Sequence, residues 1–448
     1  EHTQCLSKFS CLSTRPSQQR IKVYVLSDLH ADAEKNHQWV LNNCMKTQKD
    51  IDDDTYCILI LPGDIGSEVD RITSIITALV DSYDAVCYIV GNHEAWRRGT
   101  ARGKSTSATT PQLRTITENR MADDSISKIS EIYEVVKQSG AHIGPIRVSL
   151  HGDQNDTMKK ETAVVVTPLQ SWYHSSWDRE PDLTSVLYRN VEEAMPMARK
   201  WGDFSMCSWP DSMIAHHHFA STDIMDTSNI QLAKCFASLN EPFITPRNKE
   251  FLQEIIEGRS QNEEMNENGY NINKKYVGSP YIESSDTLIT FSHFLPRQEL
   301  CPEKRFLREP LLTRVIGSDI LESQIRRLQS HIHLFGHTHI PIDLELDGVR
   351  YIQWPLGYSR ESAYQCAPIR QVGPLCVFDT NLGQGIRGIP TQLPSLQCAW
   401  TQYYREQDRR AEVVEPLAPW LVSRLEMSGW DRSDVERPKT GDDIAKIR

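Results

Sequence analysis

From Ile21 onward, short apolar runs end abruptly in polar clusters and give way to amphipathic stretches. IKVYVL runs into SDLH, TYCILIL into PGDIG, and AVCYIV into GNHE. Each run reads as a buried strand. Between them Val69, Ile72, Ile75, Ile76, Leu79 and Val80 keep helical spacing, as do Ile126, Ile129, Ile132, Val135 and Val136 ahead of a helix cap at Gly140. This alternation predicts a layered α/β domain. It also delivers polar residues to the C-terminal ends of strands, where open α/β sheets gather ligands. ETAVVVTPLQSW, DTLITFSHFLP, HIHLFGHTHI, IDLELDGVRYIQWPL and PLCVFDT predict further strands, enough for two packed sheets.

The pattern breaks between about 171 and 285, a stretch rich in Trp, Met, Asn and Glu. Helices are predicted there around VLYRNVEEAMPMARK and NKEFLQEIIEG, and SQNEEMNENGYNINKK is polar enough to predict a mobile loop. The expected organisation is an arm over 1–20, a domain over 21–398 carrying this insertion, and a C-terminal arm over 399–448. The C-terminal arm sets Trp400, Tyr403, Tyr404, Trp420 and Trp430 among many charges, which suits a segment packed over the domain. The first twenty residues hold no acid after Glu1 and suit either the remnant of an organelle transit peptide, plastid import being one case, or a disordered arm.

Composition narrows the setting. At 448 residues there is room for one large domain with an insertion or for two average ones. Asp and Glu outnumber Lys and Arg by 60 to 49, a net charge of -11, which argues against a protein that grips nucleic acid through its phosphates. The eleven cysteines are odd in number, lack CxxC spacing and place Cys57 and Cys87 inside apolar runs, so reduced thiols in a soluble, intracellular protein are expected. No apolar run reaches the length of a membrane span.

The candidate chemistry sits at the strand ends. Asp28 and His30 in SDLH are two apart, so on an extended segment both face one side and can converge on one ion. Alone the triplet is weak, since an aspartate after a strand is more often a turn or cap residue. Asp64 follows the next strand between Gly63 and Gly66, and a carboxylate can bridge two cations where an imidazole cannot. GNHE supplies Asn92 as a neutral oxygen donor and His93 as a titratable group beside it, with Glu94 in a supporting or helix-starting position. His293 follows DTLIT, and GHTH adds His337 and His339, again two apart. Mixed imidazole and carboxylate suit Mn, Fe or Zn better than Ca or Mg. His331 and His333 precede the strand end and are expected to be structural.

In this order, DxH, GD, GNHE, a lone His after a strand and GHTH resemble the calcineurin-like metallophosphoesterases. The resemblance covers about 21–170 and 286–379 and implies a four-layer α-β-β-α fold of two mixed sheets. It implies one ion held by Asp28, His30, Asp64 and His339 and a second by Asp64, Asn92, His293 and His337, with Asp64 the bridge. It further implies in-line hydrolysis of a phosphate ester by hydroxide bridging the ions, with His93 facing the leaving group.

Departures from that pattern matter. IGSEVD and Val90 stand where protein Ser/Thr phosphatases carry Asp and Arg residues, which disfavours that branch. Ser67 replaces the aspartate expected to support His93, leaving its orientation unexplained. Arg97, Arg98, Arg102, Lys104 and Arg114 follow GNHE with no acid among them, and could contact phosphate or form a solvated loop. His216, His217 and His218 could make an extra metal site, but adjacent residues on a helix point in different directions, so a solvated tract is favoured. Trp172, Tyr173 and His174 open the insertion, and either approach the substrate or pin the insertion to the core. The expected activity is hydrolysis of a small phosphomonoester, with a phosphodiesterase or nucleotide pyrophosphatase as the rival enzyme and a non-catalytic scaffold as the rival class.

Overall fold

The computed structural model describes residues 10–45, 54–97, 124–150, 163–185, 188, 201–210, 213, 228–244, 286–361, 367–381 and 399–427. Its strands are β1 Ser10–Ser13, β2 Arg20–Val25, β3 Thr55–Pro62, β4 Ala85–Ile89, β5 Ile146–Ser149, β6 Ala163–Pro168, β7 Thr287–Phe291, β8 Ile332–Phe335, β9 Ile342–Leu346, β10 Val349–Gln353 and β11 Leu375–Asp379. They form a seven-stranded sheet in the order β1-β5-β6-β7-β8-β10-β9 and a four-stranded sheet in the order β11-β2-β3-β4. Both are mixed: β2, β3 and β4 run parallel with β11 antiparallel, while β6, β7, β8 and β10 run parallel and β9 turns back along β10. Helices flank the two sheets, so the chain is an α/β sandwich.

The central strands are buried on both faces, which is why they read as continuous apolar runs. All eight residues of β3 are buried, with Ile58, Leu59, Ile60 and Leu61 fully enclosed. The helix Val69–Val80 buries Ile72, Ile75, Ile76 and Leu79, and Ser125–Gln138 buries Ile129, Ile132 and Val136. At the start of the latter, Asp124 accepts from the Ser127 N–H, satisfying one of the free donors of the first turn.

The two sheets are joined where the site lies. Beyond β2, Ser27 pairs in parallel with Pro355 beyond β10; its N–H donates to the Trp354 carbonyl and its carbonyl accepts from Leu356. The C-terminal ends of β2, β3 and β4 therefore face those of β7 and β8 across one seam.

One expectation shifts. The folded region begins before Ile21: Ser10–Ser13 pairs in parallel with β5, and Thr14 continues the ladder to Ser149. This four-residue edge strand is half buried on alternate positions and is held by backbone bonds, so SCLS offers no apolar run to read. Within the insertion, Leu232 and Phe236 of the helix Ser228–Ser238 join the main core. The C-terminal helices Ala399–Glu406 and Pro419–Met427 pack on the domain. There Thr401 Oγ1 accepts from the Asp343 N–H at 2.9 Å and Trp420 Nε1 donates to the Phe306 carbonyl at 2.7 Å.

The described cysteines are all free thiols, Cys57 and Cys87 buried among them. No helix among the described residues is long and apolar enough to cross a membrane. The predicted helices over 186–200 (Tyr188 apart) and 248–258, the polar loop over 260–275, His216 to His218, Trp430 and the basic residues Arg98, Arg102, Lys104 and Arg114 lie outside the described residues.

Candidate metal centre

Eight side chains named from sequence come together at the seam. Asp28 and His30 follow β2, Asp64 follows β3, Asn92 and His93 follow β4, His293 follows β7, and His337 and His339 follow β8. Ligand atoms of Asp28, His30 and His339 lie within 4.8 Å of one another, as do those of Asp64, His293 and His337, and those of His30, Asp64 and His93. Asp64 belongs to two of these groups. Its Oδ1 is 3.5 Å from His293 Nε2, and its Oδ2 is 4.0 Å from His30 Nε2 and 3.8 Å from His93 Nε2.

The backbone at these positions is unusual. Asp28, His30, Asp64, His337 and His339 have φ of 54°, 44°, 53°, 79° and 55°, five of the seven described non-glycine residues with positive φ. That region is sparsely populated for L-residues, although Asp and His enter it more readily than most. Asp28 and His30 thus converge from tight left-handed turns beyond the strand, not from an extended segment as their spacing predicts. Hydrogen bonds hold the turns: Asp28 N–H donates to the Gly63 carbonyl, His30 N–H to the Asp64 carbonyl, and His337 N–H to Asp28 Oδ1 at 2.8 Å. Gly91 is required for a different reason. A Cβ there would lie 2.2 Å from Asp64 Oδ1 and 2.7 Å from His293 Cε1, so only glycine lets the β4 end reach the cluster.

The decisive feature is where the lone pairs point. His293 Nδ1 is 2.9 Å from the Pro62 carbonyl and His337 Nε2 is 3.0 Å from the Val315 carbonyl, so each of these nitrogens carries the proton and donates it. The opposite nitrogens, His293 Nε2 and His337 Nδ1, are then bare acceptors only 3.1 Å apart, and Asn92 Oδ1 lies 3.1 and 3.0 Å from them. Three buried acceptors face one another with Asp64 beside them. Such an arrangement repels itself unless a cation sits among them, and donating the outer nitrogen to a fixed acceptor is how proteins orient metal-binding imidazoles. His339 follows the same rule, its Nδ1 donating to Glu361 Oε2 at 2.8 Å while its Nε2 lies 2.8 Å from His30 Nε2. The donor set fits divalent cations that favour mixed nitrogen and oxygen ligands.

Protonation agrees with that fit. Burial, reinforced by the neighbouring imidazoles, pushes His30, His93 and His337 well below the usual histidine range, and burial lowers His293. Neutral imidazoles are what a metal needs. His339 goes the other way: burial alone would lower it, but Glu361 and Asp28 raise it. Burial, with Glu94 and Asp28 nearby, pushes the Asp64 carboxyl well up, a cost that a cation would remove.

No protein-family model matches the chain, and no curated protein matches it. Among solved structures it is similar to the crystal structure of phosphopantetheinyl hydrolase (PptH) from Mycobacterium tuberculosis. The identity is 15% and the TM-score 0.45, over 78% of this chain and 94% of that one. That likeness is too distant to bear on the chemistry.

A cavity of about 280 Å³ opens beside the cluster, walled by His30, His93, Trp96, Met206 and Tyr358 with Asp32 at its edge. Tyr358 was not foreseen. Its ring stacks on His30 at 4.2 Å and its hydroxyl is 3.2 Å from His93 Nε2, while the His93 ring stacks on Trp96 at 3.6 Å. These two contacts orient His93 where Ser67 cannot; Ser67 instead bonds Asp32 through both its N–H and its hydroxyl. Glu94 supports the cluster, accepting the N–H groups of Asp64, Ile65 and Gly91. Asp203, in the insertion, accepts from Asn92 Nδ2 at 2.8 Å, and Glu361 holds His339; neither is marked by any spacing in the sequence.

The remaining candidates lie elsewhere. Trp172 is buried among Tyr173, Trp209, Phe236 and Phe294, and Phe294 in turn packs on His293 and His337, so Trp172 backs the site without lining its cavity. His174 is also buried, 2.9 Å from Ser176 Oγ and 3.2 Å from Asp319 Oδ1. Arg97 is half buried, its N–H donating to the Met206 carbonyl, and it does not line the cavity. His333 is enclosed between Thr290 and Ser292, and His331 Nδ1 accepts from the Leu288 N–H. A larger open groove of about 790 Å³ has its arginines paired, Arg297 with Glu299 and Asp347, Arg179 with Asp319, and Arg409 with Glu180.

Proposed function

We propose that this chain is a metal-dependent phosphoric ester hydrolase acting through two divalent ions, with a small phosphomonoester as substrate. The observation that carries the proposal is the convergence of His293 Nε2, His337 Nδ1 and Asn92 Oδ1, bare acceptors about 3 Å apart beside the shared carboxylate of Asp64. Asp28, His30, Asp64 and His339 would hold one ion, and Asp64, Asn92, His293 and His337 the other. When bound, a pair of such ions neutralises phosphoryl oxygens and makes water a competent nucleophile at neutral pH.

The chain's own residues do the rest. Gly63 and Gly91 let the strand ends close on one point, and Glu94 locks the turn that carries Asp64. His93 lies on the cavity wall, where it would face the departing oxygen. Its burial keeps it neutral, so it serves first as an N–H donor; the negative charge of an arriving phosphate would raise its affinity for a proton and let it protonate the alkoxide. Tyr358 and Trp96 hold the ring in that orientation. Trp96, Met206 and Tyr358 give the cavity an apolar lining that excludes water from the leaving group.

The test is metal analysis of the purified protein followed by assay. EDTA should abolish hydrolysis of a chromogenic monoester, and manganese should restore it better than calcium, because four of the seven ligands are imidazoles and calcium prefers oxygen. Equal rescue by calcium would sink the ligand assignment. Faster turnover of a diester of the same alcohol would move the substrate class to phosphodiesters, and no turnover with both ions bound would favour a scaffold.

A further inference from the structure

Asn92 is the weak point of the proposed centre. Its amide has two ends of nearly equal size, and only the oxygen can ligate a cation. In the ion-free protein the opposite orientation would be attractive, since a rotated Nδ2 would donate to the bare His293 Nε2 and His337 Nδ1. Something must hold the amide against that rotation. The holder is Asp203, 111 residues further along and within the insertion, whose Oδ1 accepts from Asn92 Nδ2 at 2.8 Å.

Asp203 is itself tightly fixed. The same Oδ1 accepts from Trp96 Nε1 at 2.5 Å, its Oδ2 accepts from Trp201 Nε1 at 2.8 Å, and the Tyr173 hydroxyl is a fourth donor. The carboxylate is 4% exposed and every donor around it belongs either to the insertion or to the GNHE segment. Trp96 is the platform under His93, and Trp201 lies edge-on to His337 at 5.7 Å. One buried carboxylate thus ties the insertion to a ligand, to the histidine platform and to the wall of the centre.

We infer that Asp203 is a positioning residue that fixes which end of the Asn92 amide faces Asp64, His293 and His337, so that filling this ion position depends on the insertion being folded onto the core. The inference rests on the metal-dependent reading above. Asp203→Asn keeps the shape but turns one of the two accepting oxygens into an N–H donor, so four donors compete for one oxygen and an Asn92 amide turned end for end can be accommodated; the affinity of this one ion should fall roughly 10–100-fold, the usual range for loss of such a partner. The other ion, held by Asp28, His30, Asp64 and His339, should bind as before.

The experiment is calorimetric titration of metal-stripped protein with manganese, with bound metal counted after dialysis and the melting temperature measured in parallel. Wild type should take up two ions per chain and Asp203→Asn one tightly. The decisive variant is the exchanged pair Asn92→Asp/Asp203→Asn. The new carboxylate at position 92 has two equivalent oxygens, and the new amide at 203 can donate to one of them, so the second ion should return. Asn92→Asp alone sets two carboxylates against each other and should lower the melting temperature, an effect the exchange reverses. Two ions bound at wild-type affinity by Asp203→Asn would overturn the inference. So would an exchanged pair that fails to recover the second ion, which also decides the matter if Asp203→Asn does not fold. Wild type that takes up no manganese would overturn the metal reading itself, and is seen before any variant is made.

Discussion

Tyr358→Phe removes one oxygen and leaves the rest of the ring in place. The stacking on His30 at 4.2 Å is kept, and the lost contact is the 3.2 Å hydrogen bond to His93 Nε2. A hydrogen bond between neutral groups contributes about 0.5–1.5 kcal/mol net, so a loss made wholly in the transition state would slow turnover roughly two- to twelvefold. The smaller end of that range applies if water from the cavity replaces the hydroxyl. The loss should not be uniform. Departure of a poorly stabilised alkoxide needs the oriented imidazole, whereas a nitrophenolate leaves without help, so the assay is kcat/KM over aryl and alkyl phosphates of graded leaving-group acidity. The variant should match wild type on the most acidic leaving group, fall behind progressively on the others, and bind the same amount of metal. An equal loss across the series, or a change in metal content, would refute the view that Tyr358 acts through His93.

The two central residues should separate by phenotype. Asp64→Ala should disturb both ion positions, because its carboxylate is shared, while His93→Ala should keep the metals and lower turnover roughly 10²–10⁴-fold; wild-type activity of the His93 variant on an alkyl phosphate would count against its role. Trp172→Ala should cost about 3–5 kcal/mol of stability, read from urea unfolding, and lower activity on small and large substrates alike; a loss confined to large substrates would give it a part in recognition. His333 supplies a pH test away from the cluster. Burial lowers its pKa to about 3 from an ordinary 6.5, so the unfolded chain takes up a proton that the folded chain refuses. Its stabilisation is complete above pH 6.5 and is lost as pH falls towards 3, at up to about 1.4 kcal/mol per pH unit. His333→Gln, which can keep bonds to Thr290 and Ser292, should flatten the slope of unfolding free energy between pH 6.5 and 5; unchanged slopes would refute the argument.

The core strands were legible because β3, β4, β6, β7 and β8 are enclosed on both faces and must be apolar throughout. The ligand candidates were legible because each follows the end of a strand within two to five residues. Their supports were not. Tyr358, Glu361 and Asp203 act through contacts with residues 265, 22 and 111 positions away, and no local spacing encodes such a meeting. The two-residue spacing of Asp28 and His30 gave the right convergence for a reason the structure revises, since left-handed turns, not strand alternation, aim them. Trp172 and His174 show the opposite failure: a strand end on the ligand side does not carry its next residues into the site when the chain bends into packing first.

The left-handed turns under Asp28, His30, Asp64, His337 and His339 also bear on how this protein can be changed. At each of them the backbone alone would favour glycine, yet glycine would delete a ligand and, at Asp28 and Asp64, the carboxylates that accept the His337 and His93 N–H groups. Backbone preference and chemistry are therefore opposed at the same five positions. Stabilisation that spares the centre has to be sought in the edge strand, the surface helices and the C-terminal helices, where side chain and backbone make no competing demands.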